Sequence, residues 1–263
     1  DDVEIDFDIS DKGEVVDGQG RSGKLSIHGN DGEKIVLSNM TFDADLEDKD
    51  GVWFGDSTVN FADFSFEDAR GMSFGMKNLN LQGGNHGDAK SMKSAAQFTI
   101  GEFNVADMTF EDFTFDYSID NLDTQAVSAL QAVSKQGPQV DPTAALEHLK
   151  KIVEMSPSIN INELSVQTPQ GKVQADLHVN LPDNVNMVFF PLSLLPQVQA
   201  DSNIRIPKDV IPMLDALRPG TAQQTEMLVQ GGLIKLDGND YVSVIKMDKG
   251  EITVNGVVMP LPF

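Results

Sequence analysis

One short motif in this chain has the residue types of a hydrolase nucleophile. Gly71-Met72-Ser73-Phe74-Gly75 fits the pattern G-x-S-x-G, in which a serine is held on a sharp turn between a strand and a helix. Apolar and polar residues alternate on both sides of Ser73, which predicts strand in both directions. His86 follows, next to Gly87-Asp88, a pair typical of a loop. We therefore predict a strand serine and no catalytic residue.

A glycine-rich stretch has the spacing of a dinucleotide-binding loop. Residues 18–23, GQGRSG, fit G-x-G-x-x-G, a motif that requires a helix to start at its end and point its N-terminus at the pyrophosphate. The residues that follow, Lys24-Leu25-Ser26-Ile27, alternate and predict a strand. We expect a glycine-rich turn at 18–23, and the sequence predicts no cofactor.

Metal-binding patterns in the chain are incomplete. Asp48-Lys49-Asp50-Gly51 resembles part of an EF-hand loop, but the full spacing requires an oxygen ligand at 46 and a glutamate at 57, where the chain has Leu46 and Ser57. Loose calcium binding by clustered carboxylates remains open. The four histidines lack the close pairs that are typical of a zinc site, and no metal centre is predicted. They are His28, His86, His148 and His178.

Charge and aromatic content divide the chain into two parts. The 263 residues carry a net charge of −22, and residues 1–125 hold 27 acidic against 9 basic residues. Twelve of the fifteen phenylalanines also fall in this first part. Such acidity disfavours charge-driven binding to nucleic acid or anionic lipid headgroups. We predict an acidic, phenylalanine-rich meander over residues 1–122 and a helix-plus-strand part over residues 123–263, joined in one continuous sheet.

Other classes are excluded by what the chain lacks. It has no cysteine, which rules out disulfides and thiol chemistry. No run of eighteen or more apolar residues is present, so no segment is expected to span a membrane as a helix.

Period-two alternation dominates the first part. Aromatic and β-branched residues alternate with polar ones from Ile5–Ile9 to Phe113–Ile119, a pattern typical of half-buried strands. Asp31-Gly32, Asp50-Gly51 and Gly83-Gly84 have the composition of turns between such strands. The fold class predicted is α+β, mainly β, with a long curved antiparallel sheet.

Two stretches of the first part are nearly identical. NFADFSFED at 60–68 and NVADMTFED at 104–112 match at six of nine positions. In both, the parity of the apolar positions changes, at Ala62-Asp63 and at Ala106-Asp107, and such a change moves side chains to the other face unless the backbone absorbs it. We predict a strand, a corner and a strand in each copy, with chance similarity as the alternative. SNMTFDADLED at 38–48 is a fainter third copy.

The second part mixes helices and strands. Asp123 and Asp141-Pro142 have the chemistry of helix starts, and we predict several helices that pack on the sheet. A further short helix is predicted from Pro207, and a helix with a capping box from Thr221. The predicted strands are 159–166, 173–181, 241–247 and 251–258, with turns at 168–171 and 248–250.

The most apolar run of the chain, residues 186–196, is too short and proline-broken to span a bilayer. It is either a loop that covers the core or a partly exposed apolar lip that holds a lipid chain or a partner. Together with aromatic residues of the sheet it supplies the predicted apolar ligand-binding residues. These are Phe64, Phe66, Phe113, Phe115, Val188, Phe189, Phe190, Leu192, Leu194 and Leu195.

The second part resembles the YdgA-like family of bacterial envelope proteins. The resemblance rests on Leu122–Ala126, on SPSININELSVQTPQGKV at 156–173 and on YVSVIKMDKGEITVNGVVMPLP at 241–262. It implies a periplasmic location and an upstream inner-membrane anchor, so we expect the chain to be a fragment. In architecture the chain is also distantly similar to AsmA-like envelope proteins, which are associated with lipid traffic.

These patterns favour a non-enzymatic envelope domain. We expect a lipid or another apolar ligand to lie in a concave groove of the sheet, lined by aromatic residues. The alternative is a structural or assembly module that forms a homodimer or contacts an envelope protein partner through sheet edges. Neither hypothesis involves nucleic acid, and the membrane is involved only through the upstream anchor.

Overall fold

The computed structural model describes residues 3–10, 15–29, 31–70, 73–105, 108–134, 142–182, 194 and 196–259. The first part consists of seven strands, of which six have 14 to 16 residues. These strands are β1 (Val3–Ile9), β2 (Val15–His28), β3 (Lys34–Lys49), β4 (Val52–Glu67), β5 (Ser73–Gly87), β6 (Ser91–Val105) and β7 (Met108–Asp123).

The second part has four described helices and seven shorter strands. The helices are α1 (Thr124–Ser134), α2 (Pro142–Glu154), α3 (Val210–Leu217) and α4 (Thr221–Gln230). The strands are β8 (Ser158–Thr168), β9 (Gly171–Asn180), β10 (Gln199–Pro207), β11 (Lys235–Asp237), β12 (Asp240–Asp248), β13 (Glu251–Val254) and β14 (Val257–Met259).

All fourteen described strands belong to one open antiparallel sheet. Strands β1 to β10 are neighbours in chain order, followed by β12, β13 and β14, and β11 pairs with β12 outside this path. The sheet continues from β7 to β8 across the junction of the two parts. The prediction of a mainly β fold with a long antiparallel sheet and several helices is therefore confirmed.

A row of six residues crosses the sheet from β2 to β7. At this row the cross-strand pairing is interrupted, and it resumes beyond the row in the same register, as for Ser38 opposite Asp63 and Met40 opposite Phe61. We call this row the crease. Its residues are Gly23, Asn39, Ala62, Asn78, Gly101 and Asp112.

The crease has a regular composition. Asn39, Asn78 and Asp112, in alternate strands, have left-handed backbones with φ of 50°, 53° and 47°, a conformation that asparagine and aspartate tolerate best after glycine. The intervening strands carry glycine or alanine. In strands β2 to β7 the change occurs at the same row, so residues beyond the row keep their cross-strand partners. The odd-numbered and even-numbered positions of each strand, however, exchange sides of the sheet at this row. The parity change predicted at Ala62-Asp63 falls on this row.

The second copy of the repeat is not a corner, and that prediction is wrong. Ala106-Asp107 lie outside the described residues, but the strands on either side pair with each other, with Val105 opposite Met108. The stretch 104–112 therefore spans the β6–β7 hairpin. A hairpin and a corner both change the parity of apolar positions, so the local pattern does not distinguish them.

Two glycine-rich stretches predicted to be turns are instead strand interiors. Gly83-Gly84 lies within β5, where the two residues face Ala96 and Ala95 of β6. Gly18 and Gly20 lie within β2, and the ring of Phe42 occupies the space that a Cβ on Gly20 would need. These glycines reflect close approach from neighbouring strands rather than chain reversal. The turns predicted at Asp31-Gly32 and Asp50-Gly51 are confirmed.

Helix α1 closes one end of the sheet. The predicted cap is confirmed, because Asp123 Oδ1 accepts a hydrogen bond of 2.7 Å from the Ala126 amide. Thr124 Oγ1 donates to the Asp88 carbonyl at 2.8 Å in the β5–β6 turn. Val127 of α1 packs against a small cluster of buried residues at this end, which comprises Val52, Phe54 and Met92.

Within the described residues, the remaining helix and strand predictions hold with three corrections, and β10 was not predicted. The predicted helix start Asp141 lies outside the described residues. Pro207 ends β10, and the helix predicted from it begins at Val210. The predicted capping box at Thr221 does not form, because the Gln224 amide donates to the Gly220 carbonyl at 3.0 Å and Thr221 Oγ1 donates to the Arg218 carbonyl. The last predicted strand, 251–258, is interrupted by a turn at Asn255-Gly256, where both residues have positive φ.

Candidate functional site

The two faces of the sheet differ sharply in polarity. Residues that stand opposite each other in antiparallel strands share a face, so a row can be followed from strand to strand. One row of polar residues runs across eight strands, and the row beside it on the other face is apolar. The polar row is Asp6, Gln19, Asp43, Thr58, Gln82, Gln97, Asp116 and Glu163, and the apolar row is Phe42, Val59, Leu81, Phe98, Phe115 and Leu164.

A second apolar row lies beyond the crease. It also follows directly opposed residues, from β2 to β7. Its members are Leu25, Leu37, Phe64, Met76, Phe103 and Phe110. We call the surface formed by the two apolar rows the apolar face.

Ring contacts show that the two rows lie on the same side of the sheet. Phe98 and Phe103 occupy positions of opposite parity in β6, yet both contact Phe113 edge-on, with centroid distances of 5.7 and 6.3 Å. Phe103 also stacks on Phe110 at 5.0 Å. In a regular strand Phe98 and Phe103 would point to opposite faces. The crease therefore returns the aromatic side chains to one face.

Much of the apolar face is accessible to solvent in the described structure. Ile5 is 56% exposed, Leu81 44% and Leu164 39%, although all three point to the side that the pattern marks as core. Among the described residues, ten apolar side chains are buried, and only six of them lie in the strands of this sheet. A contiguous exposed apolar surface of this kind marks a binding site more often than it occurs by chance.

The structure describes five of the ten residues predicted to bind an apolar ligand. Phe64 and Phe66 lie on β4 and Phe113 and Phe115 on β7, all on the apolar face; Phe64 contacts Phe74 at 6.3 Å. The two strands are three strand spacings apart, about 14 Å, so these residues share a surface without converging on one pocket. Leu194 is half-buried. Val188, Phe189, Phe190, Leu192 and Leu195 lie outside the described residues.

The polar face is organised by side-chain hydrogen bonds between strands. Asn80 Nδ2 donates to Asn60 Oδ1 at 2.6 Å, and Asn60 Nδ2 donates to Thr41 Oγ1 at 3.1 Å. Four carboxylates stand opposite one another in consecutive strands, and their like charges keep this side in water. They belong to Asp8, Asp17, Asp45 and Asp56.

Two cross-strand ion pairs perturb carboxyl groups of the polar face. Lys77 Nζ donates to Glu102 at 2.7 Å, and this bond holds the pKa of Glu102 below its usual range. Lys172 Nζ donates to Glu163 at 2.9 Å. With a further bond from Ser165, it lowers the pKa of the Glu163 carboxyl. Both shifts follow from hydrogen bonding to the charged form, a structural role.

The polar face also carries a group of potential metal ligands that the histidine pattern missed. Asp176 and His178 of β9 and Asp201 of β10 have ligand atoms within 4.8 Å of one another. Asp176 borders an open depression of about 410 Å³ on this side of the sheet. The sequence signal is the spacing D-x-H on a strand, which places both side chains on one face; the third ligand comes from another strand.

Ser73 does not lie on the sharp turn between a strand and a helix that a hydrolase nucleophile requires. It is an exposed residue at the start of β5, opposite Glu67 of β4. His86 lies in the same strand, and its Nε2 pairs with Asp56 Oδ1 at 3.0 Å.

Within the described ranges, none of the helices has the length and apolar character needed to cross a membrane.

Comparison with known proteins identifies the family. No curated protein and no solved structure matches the chain. The family model described as "Bacterial protein of unknown function (DUF945)" matches residues 2–262, so the similarity spans both parts of the chain and not only the second. The chain therefore belongs to this bacterial family, DUF945.

Proposed function

We propose that this protein is a non-enzymatic domain of the bacterial cell envelope that binds a lipid or another elongated apolar molecule along the apolar face. The observation that carries the proposal is that the two apolar rows are only partly buried: Leu25, Leu81 and Leu164 are exposed and the other members are half-buried. Each row crosses six adjacent strands, a span of about 24 Å, so the surface is long enough for an extended hydrocarbon chain. Covering it would remove apolar side chains from water, at roughly 25 cal/mol per Å².

The crease supports the same proposal. Without it, the aromatic residues on one side of the row would face the acidic side of the sheet. A change of parity in six neighbouring strands keeps one continuous apolar surface. Coiling of long antiparallel strands would make that surface concave, and helices packed against the sheet would then flank the groove.

The resemblance of the second part to YdgA-like envelope proteins, and the distant one to AsmA-like proteins, supports a periplasmic location near the inner membrane. The acidic polar face favours an arrangement in which that side is turned towards water and away from anionic headgroups. In this arrangement the ligand comes to the apolar face, and the apolar face does not insert into a bilayer.

A structural or assembly role is the second candidate. The sheet is open, so β1 and β14 each have one side without a partner strand in the described structure. Unpaired strand edges are templates for pairing with another chain. A homodimer, or a complex with an envelope protein partner, would use these edges.

Binding of a fluorescent long-chain fatty acid tests the proposal. Leu81 and Gln82 are consecutive exposed residues of β5 that point to the apolar and the polar face. Leu81→Asp places a charge among the apolar rows and is expected to weaken binding about tenfold or more. Gln82→Asp adds the same charge to the polar face and serves as the matched control.

Two results would overturn the proposal. One is the absence of both fatty-acid binding and co-purifying lipid in native mass spectrometry. The other is equal weakening by Leu81→Asp and Gln82→Asp, which would indicate a general effect of charge. A stable oligomer in light scattering without lipid would favour the assembly role.

A further inference from the structure

Three side chains with metal-binding chemistry meet on the polar face of the second part. His178 of β9 stands directly opposite Asp201 of β10, and Asp176 precedes His178 by two residues on the same face. The ligand atoms of the three all lie within 4.8 Å of one another. The group combines an imidazole nitrogen with carboxylate oxygens, which distinguishes it from the row of four aspartates in the first part.

Neighbouring asparagines orient two of these ligands. His178 Nδ1 lies 3.1 Å from Asn160 Oδ1, and Asn160 Nδ2 donates to Asp120 Oδ2 at 3.1 Å. Because the amide oxygen only accepts hydrogen bonds, this contact favours the imidazole tautomer that has its proton on Nδ1 and the Nε2 lone pair free for a metal ion. Such a bond to the second ring nitrogen is the usual support of a metal-bound histidine.

Asp176 is held in a similar way. Its Oδ1 accepts hydrogen bonds from the backbone amide and the side-chain Nδ2 of Asn203, at 3.1 and 2.9 Å. These bonds fix the carboxylate and leave Oδ2 for a metal ion. Asn160 and Asn203 thus orient the two β9 ligands without themselves belonging to the group.

The charges of the group also favour a cation. Asp176 and Asp201 form no ion pair among the residues that the structure describes. Two carboxylates at this distance repel each other, and a divalent ion between them would be the largest local charge and remove the repulsion.

We propose that Asp176, His178 and Asp201 bind one divalent transition-metal ion of the Zn²⁺ type. Imidazole and carboxylate ligands suit Zn²⁺, whereas Ca²⁺ and Mg²⁺ favour oxygen ligands alone. Zinc–ligand distances of about 2.0–2.2 Å require the three side chains to draw together by about 1 Å, within the freedom of their terminal torsions. Three protein ligands leave at least one position open to water or to an anionic group.

Calorimetric titration of the EDTA-treated, dialysed protein with ZnCl₂ tests this site. We expect one equivalent of Zn²⁺ to bind. Substitution of His178 by Ala is expected to weaken binding about tenfold or more. His86→Ala is the matched control, because His86 also pairs with an aspartate on the polar face; its binding should equal that of the wild type.

A second variant, Asp201→Asn, is used if circular dichroism shows that the His178 variant is poorly folded. Asp201 lies on the surface of β10 and the substitution is isosteric, so the sheet should fold normally while zinc binding weakens. The proposal fails if the wild type binds no Zn²⁺, if Asp201→Asn binds it as tightly, or if His86→Ala loses as much affinity. CaCl₂ binding of equal strength would indicate non-specific attraction to acidic groups and would also contradict it.

Discussion

The two parts of the sheet keep their apolar side chains on one face in different ways. In β2–β7 the crease changes the parity of all six strands at one row, and each strand contributes its own residue to the change. In β8, one extra residue between Ile161 and Leu164 shifts the pairing with both β7 and β9. Strand β7 has a further irregularity of this local kind, in its pairing with β6 near Met92. Both devices keep apolar residues on one face, the first by a shared row and the second by a bulge in one strand.

The difference has a consequence for register. In the first part an inner strand, β3 to β6, that lost its crease residue would be one residue short of both neighbours. In the second part, β8 already has one residue more than its neighbours at the bulge. The first part is therefore a cooperative unit in which strands depend on each other, and β8 can be altered alone.

The largest effect should come from deletion of a crease residue. Deletion of Asn78 shifts one half of β5 out of register with both β4 and β6, and we expect a loss of more than about 3 kcal/mol or failure to fold. Deletion of Asn162 only removes the bulge and one hydrogen bond to Asp116, at about 1 kcal/mol. Urea unfolding measures both, and similar losses would contradict the distinction.

A smaller effect is expected from a substitution at the same row. Asn78→Val places a β-branched residue at φ of 53°, which should cost about 1–2 kcal/mol. Asn78→Gly removes the same side chain but accepts this backbone conformation, so it controls for lost contacts. If valine is tolerated as well as glycine in urea unfolding, the left-handed backbone is not required.

Salt should distinguish the two parts by their charge. Residues 1–125 have a net charge of −18 (27 acidic and 9 basic residues), against −4 for residues 126–263 (14 and 10). Raising the ionic strength screens repulsion between exposed carboxylates. Amide hydrogen exchange should therefore slow more in β1–β4 than in β9–β13. A uniform change would mean that the charge imbalance has no local effect on stability.

The smallest effect concerns the ion pairs Lys77–Glu102 and Lys172–Glu163, one in each part. Both glutamates have a pKa below the ordinary value of 4.5 in the folded state. Their contribution to stability is thus present above pH 4.5 and lost as the pH falls through the folded-state pKa. In an NMR titration, Lys77→Met should raise only the midpoint of Glu102, and Lys172→Met should raise only that of Glu163.

Much of the fold could be predicted from local patterns. Alternation located most of the strands, although not β10 or β11. Asp50-Gly51 and Asp123 identified a turn and a helix start, because these features depend on residues adjacent in the chain. Glycines were misleading where a neighbouring strand determines their role, as for Gly20 beneath Phe42. The candidate site was predicted as a concave groove lined by aromatic residues. The sequence could not show that those of β4 and β7 lie three strand spacings apart, because that distance depends on strand order.

The amino-acid sequence by itself determined which side chains seek water and which avoid it, and hence that each strand has an apolar and a polar side. That information is local, because steric preferences and transfer free energies act residue by residue. The alignment of six parity changes into one crease, and the meeting of His178 with Asp201, were decided by the tertiary structure. Both depend on strand register, which pairs residues distant in the chain through the packing of the whole sheet.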